Sequence, residues 1–388
     1  MTLREKLRED YDALFGQQWP VWAGGLLVGV MNVFLFLFYQ PWTTLDGVLN
    51  WGDWVLGRVG IVRTEALSPL LRSGSVINLG LLLGAMASAL LAGEFGIRVG
   101  PRRELLKGLL GGILLGTGAA LARGCNIGGF FSATSALAAS GLAMGVGLAA
   151  GAFLGARYLL WEVERLAPRM APVAGSSGPV APGRGLQPYL GVAVLLGIIL
   201  WAFLYSLLGY GDRAAILISG LLLGVISQRS RVCFVQAFRE PFLTGDTRHT
   251  RAMLLGLLVS LMGFVLIKTT VFEKAEEFVR PTFWVGSLLG GLLFGVGMVL
   301  AGGCGGGTIW RAGEGHVKLW LALAGYVFSA SLVRDWLVQT GWQERLGTAV
   351  FLPDRLGWGG ALALLLGVLA LWYLLTAWNE ATHKLAAL

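Results

Sequence analysis

The sequence predicts an all-α polytopic membrane protein, an inverted-topology repeat bundle of about ten membrane segments with short or re-entrant helices meeting at a central constriction. Three observations predict it. The composition is apolar and arranged in span-length runs, basic clusters alternate between those runs, and an internal duplication ends twice in a Gly-Cys turn.

Of the 388 residues 55% are hydrophobic and 13% charged, and the mean hydropathy is +0.70. A water-facing domain of this size needs far more polar surface. Glycine, at 59 residues, is about twice its usual share. Without collagen-like periodicity, that excess fits close helix packing and broken helices in lipid. The tryptophans suit interfacial belts, as at Trp42, Trp51, Trp54, Trp336 and Trp342. A net charge of +8 would suit nucleic acid, but the basic residues sit in short clusters between apolar runs and read as topology signals. The partners expected are the lipid bilayer and a small anion, with no nucleic acid. Three cysteines in apolar surroundings argue against a secreted disulfide framework.

Residues 1–19 carry no cleavable signal pattern and read as an amphipathic helix on the membrane. Runs near the roughly 20 residues a span requires fall at 20–40, 76–96, 104–122, 141–161, 188–208, 213–227, 251–271, 282–301, 317–338 and 356–378. Those ending near 122, 227 and 301 run early into Gly or Arg clusters and read as short or interrupted helices. Basic clusters follow at Arg4, Lys6 and Arg8, at Arg98, Arg102, Arg103 and Lys107, at Arg165, Arg169 and Arg184, and at Arg239, Arg248 and Arg251. They alternate correctly if ten segments cross the inner membrane and both termini are cytoplasmic. Segment 272–280 is more acidic and falls outside. Residues 162–187, rich in Pro, Gly and Ser, form a cytoplasmic linker, so 20–161 is a first membrane repeat. Residues 188–378 hold a fifth span, the second repeat and a last span, and 379–388 are a tail.

Residues 109–125 align with 288–304 at a constant offset of 179, with 11 identities in 17 positions. A second match pairs Gly25–Val30 with Gly220–Val225. This is duplication rather than shared composition. An odd span before the second copy makes that copy enter from the opposite face, an arrangement transporters use to build a site at the repeat interface.

The candidate pathway lies at the ends of the copies. Cys125 sits in Arg123-Gly124-Cys125-Asn126-Ile127-Gly128, and Cys304 in Gly303-Cys304-Gly305. Such glycine-rich backbone is tolerated inside a bilayer only where it is buried in protein or lines a polar cavity. Its free N–H groups, together with the start of a following helix, suit an anion. Cys233 lies in Gln228-Arg229-Ser230-Arg231-Val232-Cys233, where Arg229 and Arg231 would draw anions to the cytoplasmic mouth. Cys233 has no thiol counterpart in the first half, which offers Asn32 and the apolar Val33–Phe38. Close cysteine pairs and dithiol motifs are absent from the sequence, so no metal, cofactor or catalytic residue is expected. His249, His316 and His383 read as interfacial, with His316 placed to sense or gate. Arg58, Arg63 and Arg72 read as a solvated face.

Ala122–Gly129, Gln228–Glu240 and Leu300–His316 together resemble the signature segments of the YeeE/YedE sulfur-transport family, and their order is closest to the YedE branch. The resemblance runs from about residue 20 to 378. It implies uptake of thiosulfate through an hourglass-shaped bundle, relayed by Cys125, Cys233 and Cys304 and handed to a TusA-like sulfur carrier in the cytoplasm. This sequence departs from the pattern in carrying its Arg-x-Cys segment in the second half, and in Gly305–Gly307, where more polar residues are expected. A neutral thiol holds a soft sulfur anion loosely, as conduction requires, whereas a thiolate would repel a dianion. The pathway thiols are therefore expected to stay protonated. The competing readings are a carrier of selenium species or another sulfur oxyanion, a membrane sulfurtransferase forming a persulfide on Cys125 or Cys304, and a structural membrane partner.

Overall fold

The computed structural model describes residues 2–166, 185–271, 276 and 278–384. Most of the expected linker, with Arg169 and Arg184, lies outside the described residues, as do 272–275, 277 and the last four residues of the tail. The chain is helical, and among the described residues β-pairing is limited to three isolated bridges. The helices are α1 (Leu3–Tyr11), α2 (Val21–Phe38), α3 (Leu45–Arg58), α4 (Ser73–Leu91), α5 (Arg102–Ala122), α6 (Ser132–Ser135) and α7 (Ala139–Leu166). They continue with α8 (Gln187–Leu207), α9 (Gly211–Ser230), α10 (Phe234–Leu243), α11 (Arg248–Thr270), α12 (Val285–Ala301), α13 (Gly305–Gly313), α14 (Val317–Gln339) and α15 (Leu352–Thr382). A wide helical turn, Asn126–Phe131, leads into α6.

Among the described residues ten helical segments are long and apolar enough to cross a membrane, and each overlaps one of the ten runs read from the sequence. The three interruptions also fall where the sequence places them. Each of α5, α9 and α12 stops at a residue with left-handed backbone: Arg123 (φ 51°), Arg231 (φ 56°) and Gly302 (φ 75°). Such a residue ends a helix by turning its last carbonyls away from the axis. At the two arginines it carries strain, because a side chain crowds this conformation.

Small residues draw the helices together as lipid-embedded packing demands. A Cβ added to Gly118 of α5 would lie 2.5 Å from the Gly290 carbonyl oxygen of α12, and one added to Gly290 would lie 2.6 Å from that of Gly118. The same reciprocity links Gly111 and Gly297, at 2.7 and 2.8 Å. Under the offset of 179, Gly111 corresponds to Gly290 and Gly118 to Gly297. The two contacts therefore exchange when the copies are exchanged. Likewise α5 packs on α14 and α12 on α7, while α2 packs on α11 and α9 on α4. Helix α8 has a largely exposed apolar surface (Leu196, Ile199, Leu200, Phe203), as lipid contact requires.

One segment departs from the sequence reading. The segment between the first two spans, read as a loop, contains α3, whose Leu45, Val48, Asn50, Asp53 and Leu56 are buried. Helix α3 packs on α4 and α14 and starts beside Cys125. Trp42, read as an interfacial residue, is buried there at 4% exposure, whereas Trp336 and Trp342 are exposed.

Candidate functional site

Two helix starts meet at the centre of the bundle, each capped by a cysteine. Cys125 is extended (φ −77°, ψ 177°), and its Sγ accepts from Gly128 N at 3.4 Å at the start of the wide turn. Cys304 repeats this at the start of α13: it too is extended (φ −86°, ψ −172°), and its Sγ accepts from Gly307 N at 3.2 Å. The geometry follows from local sequence. Left-handed Arg123 and Gly302 each end a helix two residues upstream, and small residues then allow the chain to re-enter a helix. The turns touch: Gly305 N donates to Asn126 Oδ1 at 3.1 Å. A Cβ on Gly305 would lie 2.8 Å from Thr44 Oγ1 and 2.9 Å from Cys125 Cβ. Both thiols are buried among protein rather than facing lipid, at 0% and 2% exposure.

Cys233, at the start of α10, is buried as well, and Cys304 lies within electrostatic reach of both Cys233 and Cys125. Of the three free thiols, Cys304 is thus the one that links the other two, in the order Cys125, Cys304, Cys233. Among the described residues no group of three or more His, Cys, Asp or Glu side chains is arranged to hold a metal ion.

The sequence reading missed the hydroxyls that face Cys125. Thr44 Oγ1 donates to Cys125 Sγ at 3.2 Å, and Thr43 Oγ1 lies 3.9 Å from it. Glycine is required at 128 because a Cβ there would collide with Thr43. Thr44 precedes α3 as Cys233 precedes α10, so a hydroxyl on one side matches a thiol on the other. Tyr326 of α14 is fully buried, beside Thr44 and within electrostatic reach of Cys125 and Cys304. The remaining sequence-predicted glycines support the turns. Gly124 packs against Gly129, where a Cβ would stand 2.6 Å from the Gly129 Cα, and Gly303 packs against Leu319 and Thr308.

The ends of the row differ in charge. Beyond Cys125, a cavity of about 260 Å³ is lined by Gln40, Asp46, Arg123, Gly128, Ser132 and Arg280, among others. Arg280 Nη1 donates to the Arg123 carbonyl, and among the described residues neither guanidinium has a carboxylate partner. Beyond Cys233 the arginines are engaged. Arg231 bridges Glu94 and Glu314, each at 2.6 Å, and Gln228 Nε2 donates to the same two carboxylates at 2.8 and 3.2 Å. Arg229 is fully buried, 3.6 Å from Glu94, and donates to the Gln17 carbonyl. The charges of Arg229 and Arg231, expected to draw anions, are thus paired with Glu94 and Glu314. His316 adjoins this cluster, 3.6 Å from Glu314 and 3.2 Å from Arg98. Burial pushes the Glu314 carboxyl up, but His316, Arg231 and Gln228 outweigh it and hold the group below its ordinary value of 4.5.

Three buried thiols, hydroxyls beside Cys125 and two arginines without a carboxylate partner are groups whose chemistry suits a soft anion. The comparisons agree in kind. The sequence matches the model of a family described as "Sulphur transport" over residues 4–154 and 229–387. It is 29% identical to the "Probable transporter YedE" of Escherichia coli strain K12, over 95% of this chain and 94% of that protein. Shorter matches, 39% and 35% identical, link about a third of each chain to proteins named "Thiosulfate transporter TsuA" from Escherichia coli and Spirochaeta thermophila.

Proposed function

Because the chain belongs to the YeeE/YedE sulphur-transport family, we propose that this multi-pass membrane protein takes up thiosulfate through the thiol row. The observation that carries the proposal is the back-to-back pair of cysteine-capped helix starts, buried at the bundle centre and joined through Asn126 and Gly305. An anion leaving water would meet Arg123 and Arg280 first, and then Cys125, Cys304 and Cys233 in turn. Each thiol offers a weak S–H donor and a polarizable sulfur, enough to replace part of the hydration without trapping the ion. The backbone N–H groups at the two helix starts add partial positive charge.

In this reading the halves are inverted copies, and the exchangeable glycine contacts between α5 and α12 support that relation. The protein sits in the inner membrane with both termini cytoplasmic, the Arg280 cavity faces outward, and the Glu94–Arg231–Glu314 cluster closes the cytoplasmic exit. A TusA-like carrier would receive the sulfur compound there. The match to proteins named thiosulfate transporters favours thiosulfate among sulfur anions.

A second reading has its own observation. Cys304 within reach of two other thiols would also allow a persulfide to form and pass along the row. Purified protein in vesicles with doubly labelled thiosulfate outside separates the two. Intact thiosulfate recovered inside supports transport. A persulfide on Cys125 or Cys304 by mass spectrometry, with sulfite left outside, replaces it with sulfur transfer. Selenite and sulfite added as competitors rank the substrate class.

A further inference from the structure

Around the Cys125–Cys304 junction the buried donors Trp42 Nε1 and Asn126 Nδ2 have no hydrogen-bond partner among the described residues, and buried Tyr326 Oη has only the Thr44 hydroxyl beside it, with no bond of good geometry. Their exposures are 4%, 0% and 0%. Leaving such a group unpaired costs about 1–3 kcal/mol, and native proteins do it rarely. Each lies near the turns of Cys125 and Cys304. The Asn126 amide is fixed by the Gly305 N–H on its oxygen, which leaves both amide hydrogens of Nδ2 free to donate. The Trp42 ring edge lies 3.9 Å from where a Cβ on Gly306 would stand, so the indole reaches the start of α13 one residue further on. Tyr326 reaches the junction from α14, beside Thr44 and both thiols. An indole nitrogen only donates, and the Asn126 oxygen is already engaged, so indole and amide present donors alone. These two nitrogens offer a cation nothing to coordinate, whereas an oxyanion would meet hydrogen-bond donors.

Building on the proposed transport of thiosulfate, we infer that Trp42, Asn126 and Tyr326 form a neutral oxyanion-recognition ring that takes the sulfonate end of the substrate while the thiols face its terminal sulfur. The ring explains how a dianion is accepted without a full ion pair at the junction. Neutral donors replace water on three oxygens yet release the ion more readily than a guanidinium would. It also divides recognition in two, with soft contact from sulfur to sulfur and directional donation to oxygen. An anion with only one of these features would engage half of the site.

The test uses labelled thiosulfate uptake into vesicles containing wild type, Tyr326→Phe or Trp42→Phe. Each substitution removes a donor and keeps an aromatic ring. Tyr326→Phe gives up only the weak contact of the hydroxyl with Thr44, so it is expected to fold, and thermal unfolding in detergent checks this. Two competitors report the two halves: sulfite, an oxyanion without terminal sulfur, and thiocyanate, a soft sulfur anion without oxygen. In each variant the half-saturating thiosulfate concentration should rise about tenfold, the scale of a hydrogen bond to a charged group. Competition by sulfite should weaken by a similar factor, with thiocyanate competition unchanged. Parallel loss of both competitors, or no change in either, overturns the ring while leaving transport intact. Wild-type vesicles that take up no thiosulfate overturn the transport reading, and this one with it.

Discussion

Replacing Gly305 with alanine adds one methyl group where the two thiol turns touch. That methyl would lie 2.8 Å from Thr44 Oγ1, 2.9 Å from Cys125 Cβ and 3.3 Å from Asn126 Oδ1. Carbon atoms at optimal contact stand about 3.5–4.0 Å apart, so the neighbours must give by about 0.6–1.1 Å. Overpacking of this kind costs about 1–3 kcal/mol. Alanine in place of glycine in a helix returns about 1 kcal/mol, and Gly305 begins α13 outside the left-handed region. The net loss of stability is therefore about 0–2 kcal/mol, small enough to leave a folded protein. The passage suffers more, because the methyl fills the space between Thr44 and Cys125 along which the anion would pass. Uptake of labelled thiosulfate should fall at least tenfold, equivalent to about 1.4 kcal/mol on the barrier. Insertion and thermal stability in detergent should stay near wild type. Gly367→Ala is the control, since a Cβ there meets nothing within 4 Å. Wild-type uptake by a well-folded Gly305→Ala protein would refute the placement of the passage.

Two further outcomes follow from the charged ends. At the Arg280 cavity, Arg280→Gln should raise the half-saturating thiosulfate concentration several-fold with little change in maximal rate. It should also flatten the salt dependence of uptake, because a steering charge that lines an open cavity is partly screened by added ions. At the other end, the Glu314 carboxyl is held below its ordinary value in the folded protein, so its stabilising contribution is present above about pH 4.5. It is lost as pH falls through the lowered value. Thermal unfolding in detergent should show no pH dependence from this group between pH 6 and 8 and a loss on acidification that Glu314→Gln abolishes.

Much of this architecture was legible because hydropathy reports spans directly, and each of the ten runs became a helix. The paired cysteines were legible because the duplication carried them to equivalent positions, ending in Gly124-Cys125 and Gly303-Cys304. Helix α3 was not. Its 14 residues are too few to span, and Asp46 and Asp53 lower its hydropathy, so a reading tuned to runs of roughly 20 residues passes over it. With α3 went Thr43 and Thr44, whose importance depends on where the helix starts. Trp42 was read as interfacial because tryptophan is common there, and nothing local distinguishes a buried indole. The cluster around Arg231 was missed for a different reason. Its partners Glu94 and Glu314 stand 137 and 83 residues away, and a charge count cannot pair residues across such separations. Tyr326 gave no sign at all, being one aromatic in an apolar span.

The most direct test is thiosulfate flux into vesicles of purified Cys125→Ala and Cys304→Ala proteins, with matched reconstitution and unchanged helix content by circular dichroism. Flux below a tenth of wild type in both is expected, since each removes a sulfur from the junction through which the proposed pathway runs. Wild-type flux in either protein would contradict a passage that runs through the thiol row.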